Sequence, residues 1–556
     1  MATGTEIHLH FDERLMDYAE LQTRLFEANR LLKAYACKCS LGNGFPLITC
    51  LVGGTGTGKS TLFNSLTGRK ISDVGTRRPY TLRAVVLAHE DAIPKLADCP
   101  FFKGDTNEAV IVSDRNPDSA ALVLVDTPDF DSVEVSNRVI AENFFIISDV
   151  LVFVTSQEKY GDLAGHRIGL QARAWGKKIV FVMNKAASDA AFDDFRCALA
   201  EKGYTSEPIR IERIQPPPDV VHGLRERPEF RELMQAGDRE EIRSSELEKL
   251  RNRTRVALEE LHAAVEAQAQ RIALVIERIH EIFVPVSDEM DSQLHAIVSQ
   301  DMEAQIRDRL QKLLRKYDIL FGPRMMVRNM IKKAILAFAE LFTSHQVNAS
   351  QDTDFREEDF LETRATVKLK PLESALAALN LHIAHLLASD PAWEDLRQAA
   401  REEVPRWDSG EIQKQYDEAF PGIEHLLEIE FERLRHGLSF SDELKLYGSY
   451  TLWALLLITA EIAVGGGFSL LDVFLDTVIV PLIPKWLLNL KVLDVLREVG
   501  ERVDRTHRDT LRNILVKQAD LYTDRFTAML PSSDEMSKLD ALIKEFANNR
   551  RYSPVC

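Results

Sequence analysis

Eight consecutive residues, Gly53-Gly54-Thr55-Gly56-Thr57-Gly58-Lys59-Ser60, have the types and spacing of a phosphate cradle. Glycines at such positions let successive backbone N–H groups turn toward one anion, and the lysine adds a full positive charge. The apolar run "LITCLV" precedes the loop and "STLFNSLTG" follows it, the strand–loop–helix setting that G-x-x-x-x-G-K-[ST] demands. Lys59 is then expected to reach the β- and γ-phosphates of a nucleotide, with the Ser60 hydroxyl on Mg²⁺ and Thr61 closing the cradle.

Two further stretches belong to the same chemistry. In "VLVDTPDF" a strand ends at Asp126, a carboxylate suited to hold the hydration shell of that Mg²⁺. Between loop and strand lies "VGTRRPYTLRAV", where Thr76 and Thr81 both qualify to offer the ion a second hydroxyl. Distance from Lys59 along the chain favours Thr81 as metal ligand and catalytic residue; the local "TRRP" favours Thr76. Arg77 and Arg78 read as a solvated turn or as a phosphate-neutralising finger. "IVFVMNKAASD" places Asn184 and Lys185 at another strand end, as in the guanine-reading pattern N-K-x-D. The Asp of that pattern should stand at 187, which is Ala; Asp189 comes two residues late and reaches the base only if the loop bulges.

These residues need a sheet to hold them. From Pro46 to about residue 215, "LITCLV", "LRAVVLA", "AVIVS", "ALVLVD", "VLVFVTS", "KKIVFVMN" and "IRIERI" read as strands, the later ones separated by helical stretches. Such alternation predicts an α/β domain with a mostly parallel sheet and helices on both faces. Before it, Tyr18, Leu21, Leu25, Ala28, Leu32 and Tyr35 make a heptad seam on a helix over 11–38. "QPPPDVV" is the Pro-dense linker that ends the domain. Beyond it the pattern is helical, with a stripe from Glu240 to Phe283 that spans roughly 65 Å and is expected to stop at Pro285. Further helices are expected at about 290–318, 324–345, 365–388, 410–436, 487–530 and 535–548, the last opened by the capping box "SSDE". The domains are therefore 1–40, an N-terminal helix packing with the C-terminal bundle; 41–222, the α/β domain; and 223–556, a large all-α bundle or stalk.

At 63.0 kDa the chain exceeds one hydrophobic core. Its 69 basic against 86 acidic residues leave a net charge of −17, which argues against DNA and RNA as partners. The six cysteines, Cys37, Cys39, Cys50, Cys99, Cys197 and Cys556, show no metal spacing and read as free thiols of a reducing cytosol. The start lacks the basic and apolar regions of a secretory signal, so a cytoplasmic location is expected. Ala2 rules out myristoylation, and the Cys of "SPVC" stands last, outside a prenylation pattern.

The loop "GGTGTGKSTLFNSLTGR", the "TRRP" segment, Asp126 and "MNK" together resemble the translation-factor-related P-loop GTPases over about 170 residues, with Era-like and septation-type motifs. The flanking helices extend the resemblance to the dynamin-like large GTPases, where an N-terminal helix joins C-terminal helices beside a helical stalk with a membrane-contacting tip. That resemblance implies GTP and Mg²⁺ as cofactors, nucleotide-dependent homodimers or oligomers, and membrane-associated work. The departures are specific. Asp129 stands where D-x-x-G keeps glycine, Phe130 where Ras-like enzymes keep a water-orienting Gln, and Thr55 and Gly56 where cation-activated relatives keep other residues, so slow hydrolysis is implied.

Leu446 to Leu488 is the apolar stretch of the chain, with Glu461, Asp472 and Asp476 its only charges before Lys485. Its first half approaches the ~18 residues of a membrane helix, and Gly465-Gly466-Gly467 would turn a hairpin. Membrane contact is the first expectation and a buried bundle helix the second. The resulting functions are a slowly hydrolysing dynamin-like GTPase acting at a membrane, an Era-like ribosome-assembly GTPase, or a non-hydrolysing nucleotide-gated scaffold.

Overall fold

The computed structural model describes residues 6–42, 44–72, 83–102, 109–116, 120–130, 135–161, 163–212, 219–235, 238–296, 357–420, 459 and 492–548. The chain divides into two compact units, one of residues 1–11, 17–267 and 531–556 and the other of 12–16 and 268–530.

All seven expected strands form: β1 (Leu47–Val52), β2 (Ala84–His89), β3 (Ala109–Asp114), β4 (Leu122–Asp126), β5 (Val150–Ser156), β6 (Lys178–Ala186) and β7 (Ile209–Glu212). They make one sheet in the order β3-β2-β4-β1-β5-β6-β7. Only β2 against β4 is antiparallel. The central strands β1, β4 and β5 are buried at every position, which is why they read as unbroken apolar runs. The first unit also holds α1 (Tyr18–Leu41), α2 (Lys59–Thr67), α3 (Ile93–Ala97), α4 (Val135–Ile147), α5 (Leu163–Ala174), α6 (Asp189–Glu201), α7 (Pro228–Gln235) and the first half of α8 (Arg239–Ala296). Leu62, Phe63 and Leu66 of α2 pack on Leu51, Leu124 and Val152, seating the phosphate loop's helix on the sheet.

The seam of α1 is buried at Leu21, Leu25, Ala28, Leu32 and Tyr35, although the helix itself begins only at Tyr18. The same unit contains the last described helix, Ser533–Ala547, capped by Ser532 and Glu535 in the expected reciprocal box. Tyr35 of α1 lies 5.0 Å from the Phe546 ring, and Arg251 of α8 donates to the carbonyls of Phe546 and Asn548 at 3.0 and 2.6 Å. Helices from both ends of the chain thus pack together beside the sheet.

Two findings here depart from expectation. Cys37 and Cys99 are disulfide-bonded, with Cα atoms 5.2 Å apart, whereas both read as free thiols. They lie 62 residues apart, and the packing of α1 on the turn after α3 makes the pair, a juxtaposition that no local spacing displays. The second is a buried cluster of charge. Asp149, at the start of β5, is fully buried; it pairs with Lys38 of α1 and, at 3.4 Å, with Arg243 of α8, and accepts from the Ile48 N–H at 2.8 Å. Beside it, Lys177 pairs with Glu246 at 3.0 Å and donates to the Ser148 and Ile146 carbonyls. Burial, then the like charge of Lys38, pushes Lys177 down to about 8.

The second unit is helical: the remainder of α8, then α9 (Glu357–Ser389), α10 (Glu394–Glu403), α11 (Ser409–Ala419) and α12 (Val492–Thr527), which makes Ser533–Ala547 α13. Contrary to the expectation from its lost N–H, Pro285 does not stop α8; the helix runs through it to Ala296. Val286, Met290 and Leu294 continue the buried stripe beyond the proline, and their burial offsets the missing bond. Leu372, Leu379 and Ile383 of α9 and Leu511, Leu515 and Phe526 of α12 fill the core of this unit. Arg271 forks onto Asp395, and Asp12, Arg14, Glu403 and Arg525 form a second ion cluster. Of the expected segments, 324–345 and the bulk of 446–488 lie outside the described residues, as do the ends of 290–318 and 410–436.

Candidate functional site

Parallel pairing brings the chemistry-bearing residues to one edge of the sheet. Leu51 of β1 stands opposite Asp126 of β4, so the carboxylate lies beside the strand that feeds the phosphate loop. The Thr127 hydroxyl donates to the Leu51 carbonyl at 2.8 Å and fixes that register at its end. β1 has neighbours on both sides from different parts of the chain, and the crevice beyond such a strand is where open α/β sheets bind ligands.

Within the loop two glycines are dictated by close approach. A Cβ on Gly53 would stand 2.2 Å from the Val154 carbonyl oxygen, and one on Gly58 2.2 Å from Asn184 Nδ2. Gly58 also has φ +92°, a left-handed conformation that admits glycine freely. Lys59, only 5% exposed, turns its ammonium inward. It donates to the Gly53 and Gly54 carbonyls at 3.1 and 3.2 Å and to the carboxylate of Asp129.

Asp126 is fully buried, and its Oδ1 has no hydrogen-bond partner. Oδ2 accepts from the Ser72 hydroxyl at 2.7 Å. Burial raises the carboxyl above the usual carboxylate range, against the opposing pull of Ser60, Lys59 and Ser72. An orphaned carboxylate oxygen beside Ser60 suits a hard divalent cation or its bound water, so these residues fit Mg²⁺. Ser72 escaped sequence reasoning. Asn64 of α2 accepts from the N–H groups of Ile71 and Ser72 through Oδ1 and donates to the Ser72 carbonyl, pinning that segment against Asp126. The signal was present in "FNSL", where Asn64 is buried in a helix turn between Phe63 and Leu66.

Asn184 and Lys185 join the loop. Asn184 Nδ2 donates to the Thr57 carbonyl at 3.0 Å, and its Oδ1 accepts from the Lys185 N–H. Lys185, the non-glycine residue with positive φ (57°) among those described, reaches the Gly56 carbonyl at 2.7 Å. The β6–β7 ladder shifts register between Met183 and Ala186, so the strand bulges here. The Ala187 N–H donates to Gln157. Asp189 opens α6 behind the Ser188 cap, is 85% exposed, and pairs with Arg210 of β7. Phe130 packs edge-on against Phe145 at 6.3 Å. Thr76, Arg77, Arg78 and Thr81 lie outside the described residues.

Residues 48–185 match the family described as 50S ribosome-binding GTPase. No curated protein matches the chain. Among solved structures, one from work on an oligomerised bacterial dynamin pair, described there as sensing and tethering membranes, is 12% identical over 98% of this chain and 93% of its own, with a TM-score of 0.40. A second from the same pair is 14% identical over 97% and 92%, with a TM-score of 0.37. The family match takes in the phosphate loop, Asp126 and the Asn184–Lys185 pair, so residues 48–185 are a P-loop GTPase domain.

Proposed function

We propose that the protein binds GTP with Mg²⁺, hydrolyses it slowly, and uses its nucleotide state to drive a dynamin-like helical region at a membrane. The convergence of Lys59, Asp126 and the Asn184–Lys185 pair on one loop carries the nucleotide half of this reading. Ser60 and Asp126 would hold the Mg²⁺, which when bound neutralises charge on the β- and γ-phosphate oxygens. Slow turnover is supported by Phe130, whose ring is packed on Phe145 and has no group to orient water. The packing of α1 with α8 and α13 supports the dynamin-like half, since that family bundles helices from both ends of the chain beside its GTPase domain.

Guanine is read, in this proposal, by Asp189 after it exchanges Arg210 for the base edge. An exposed ion pair contributes about 0–1 kcal/mol, less than the roughly 1.5–3 kcal/mol of a charged hydrogen bond to the base. Asp189→Ala is therefore expected to lower the GTP-over-ATP preference about tenfold, measured by ATP competition against labelled GTP. An unchanged ratio removes Asp189 from the site.

No described helix is long and apolar enough to cross a membrane. The proposed lipid contact is the 446–488 stretch. Replacing Leu455, Leu456 and Leu457 with Ser removes burial worth about 1.5–3 kcal/mol each and should abolish co-sedimentation with liposomes while leaving the thermal melt in place. A collapsed melt instead makes the stretch bundle core. The family description favours one second reading, work on the ribosome. Nucleotide-dependent pelleting with 50S particles, and none with liposomes, would select it.

A further inference from the structure

We propose that Asp129 is a built-in competitor for the nucleotide's phosphates, and that it sets the affinity of this site by holding Lys59. This rests on the GTP-binding reading above. A lysine ammonium has three N–H donors. Those of Lys59 are taken by the Gly53 carbonyl, the Gly54 carbonyl and the Asp129 carboxylate. A phosphate oxygen can therefore be met only by giving up one of them. The two carbonyls belong to the loop backbone, whose path is fixed by the close approaches of Gly53 to Val154 and of Gly58 to Asn184. Asp129 is different: its side chain is 30% exposed and can rotate away.

Its backbone has much less freedom. Thr127 is tied to the Leu51 carbonyl on one side, and Phe130 packs on Phe145 on the other. The carboxylate consequently stays within the neighbourhood of the phosphate loop, either on Lys59 or displaced beside a like-charged ligand. Both states oppose phosphate binding. The first occupies the cation, and the second sets an anion near an anion. Apparent affinity falls in proportion to the fraction of molecules whose Lys59 is available. A glycine at 129 would impose neither cost, so the acidic residue is an affinity-lowering device that favours rapid nucleotide exchange.

The test is titration of fluorescent GTP and GDP analogues, with Mg²⁺, into the full chain carrying Asp129→Asn and, separately, Asp129→Gly. Both variants are expected to bind both nucleotides on the order of tenfold more tightly than the wild type, with slower dissociation. The glycine variant, which removes the side chain altogether, keeps the test open should the amide variant fold poorly. Thermal melts without nucleotide report folding, and the nucleotide-induced shift should grow in both variants. Equal or weaker binding by a folded variant overturns the role of Asp129 and leaves the GTP-binding reading standing. A wild type that binds no guanine nucleotide overturns that reading first, and the inference with it.

Discussion

Lys59→Ala is expected to weaken binding of a fluorescent GTP analogue by more than about a hundredfold. The variant loses charge-assisted bonds to two phosphates, each worth roughly 1.5–3 kcal/mol. It also leaves Asp129 facing the ligand with no cation between them. Stability should barely change, because Asp129 remains partly in water once its partner is gone. The melt without nucleotide is thus an internal control. Binding within threefold of the wild type, from a variant with a normal melt, would defeat the assignment of this loop as the phosphate site.

Asp149→Ala should produce the largest loss of stability. It removes the anion shared by Lys38 and Arg243 and strands two cations where water does not reach. Breaking a buried pair from one side costs about 3–5 kcal/mol. In a unit of this size that lowers the melting temperature on the order of 10 °C. The helices that enter and leave the GTPase domain, α1 and α8, are both anchored at this carboxylate, so the variant loosens both from the sheet. Burial pushes the Asp149 carboxyl up, but Lys38, Arg243 and the Ile48 N–H outweigh it and hold it below the ordinary value of 3.8. Its stabilisation is therefore fully present above about pH 4 and is lost as acid carries the group through its folded-state value. Lys177 acts in the same sense in a higher window: its value in the folded protein, about 8, lies below the ordinary 10.5, so its contribution to stability also rises with pH between those two values. A wild-type acid limb that Asp149→Ala leaves unmoved would count against the first of these statements.

The strands and the phosphate loop were legible for a physical reason. A strand covered on both faces must be apolar throughout, and a loop that wraps an anion needs glycines at set intervals. β1, β4 and β5 announce themselves in this way, as does the stretch from Gly53 to Ser60. Contacts between distant residues leave no such trace. Asp129 read as an awkward substitution for glycine, while its bond to Lys59 depends on two loops meeting in space. Ser72 on Asp126 and Cys37 on Cys99 are of the same kind. Pro285 illustrates the converse error: a strong local signal to end a helix was overridden by the burial of Val286, Met290 and Leu294 beyond it.

The meeting of helices from both ends of the chain has a consequence for biosynthesis. The His10 N–H donates to Glu535 across 525 residues of sequence, and Tyr35 touches Phe546 beyond it. At about 5–20 residues per second, a ribosome takes roughly half a minute to two minutes between emitting one partner and the other. Once β7 has emerged the sheet can close on β1 and α2, but until α13 follows, part of the apolar seam of α1 lacks its partner. The nascent chain therefore carries a partly uncovered helix face beside a folded GTPase domain until α13 arrives, and the last described helix to be made is the one that covers it.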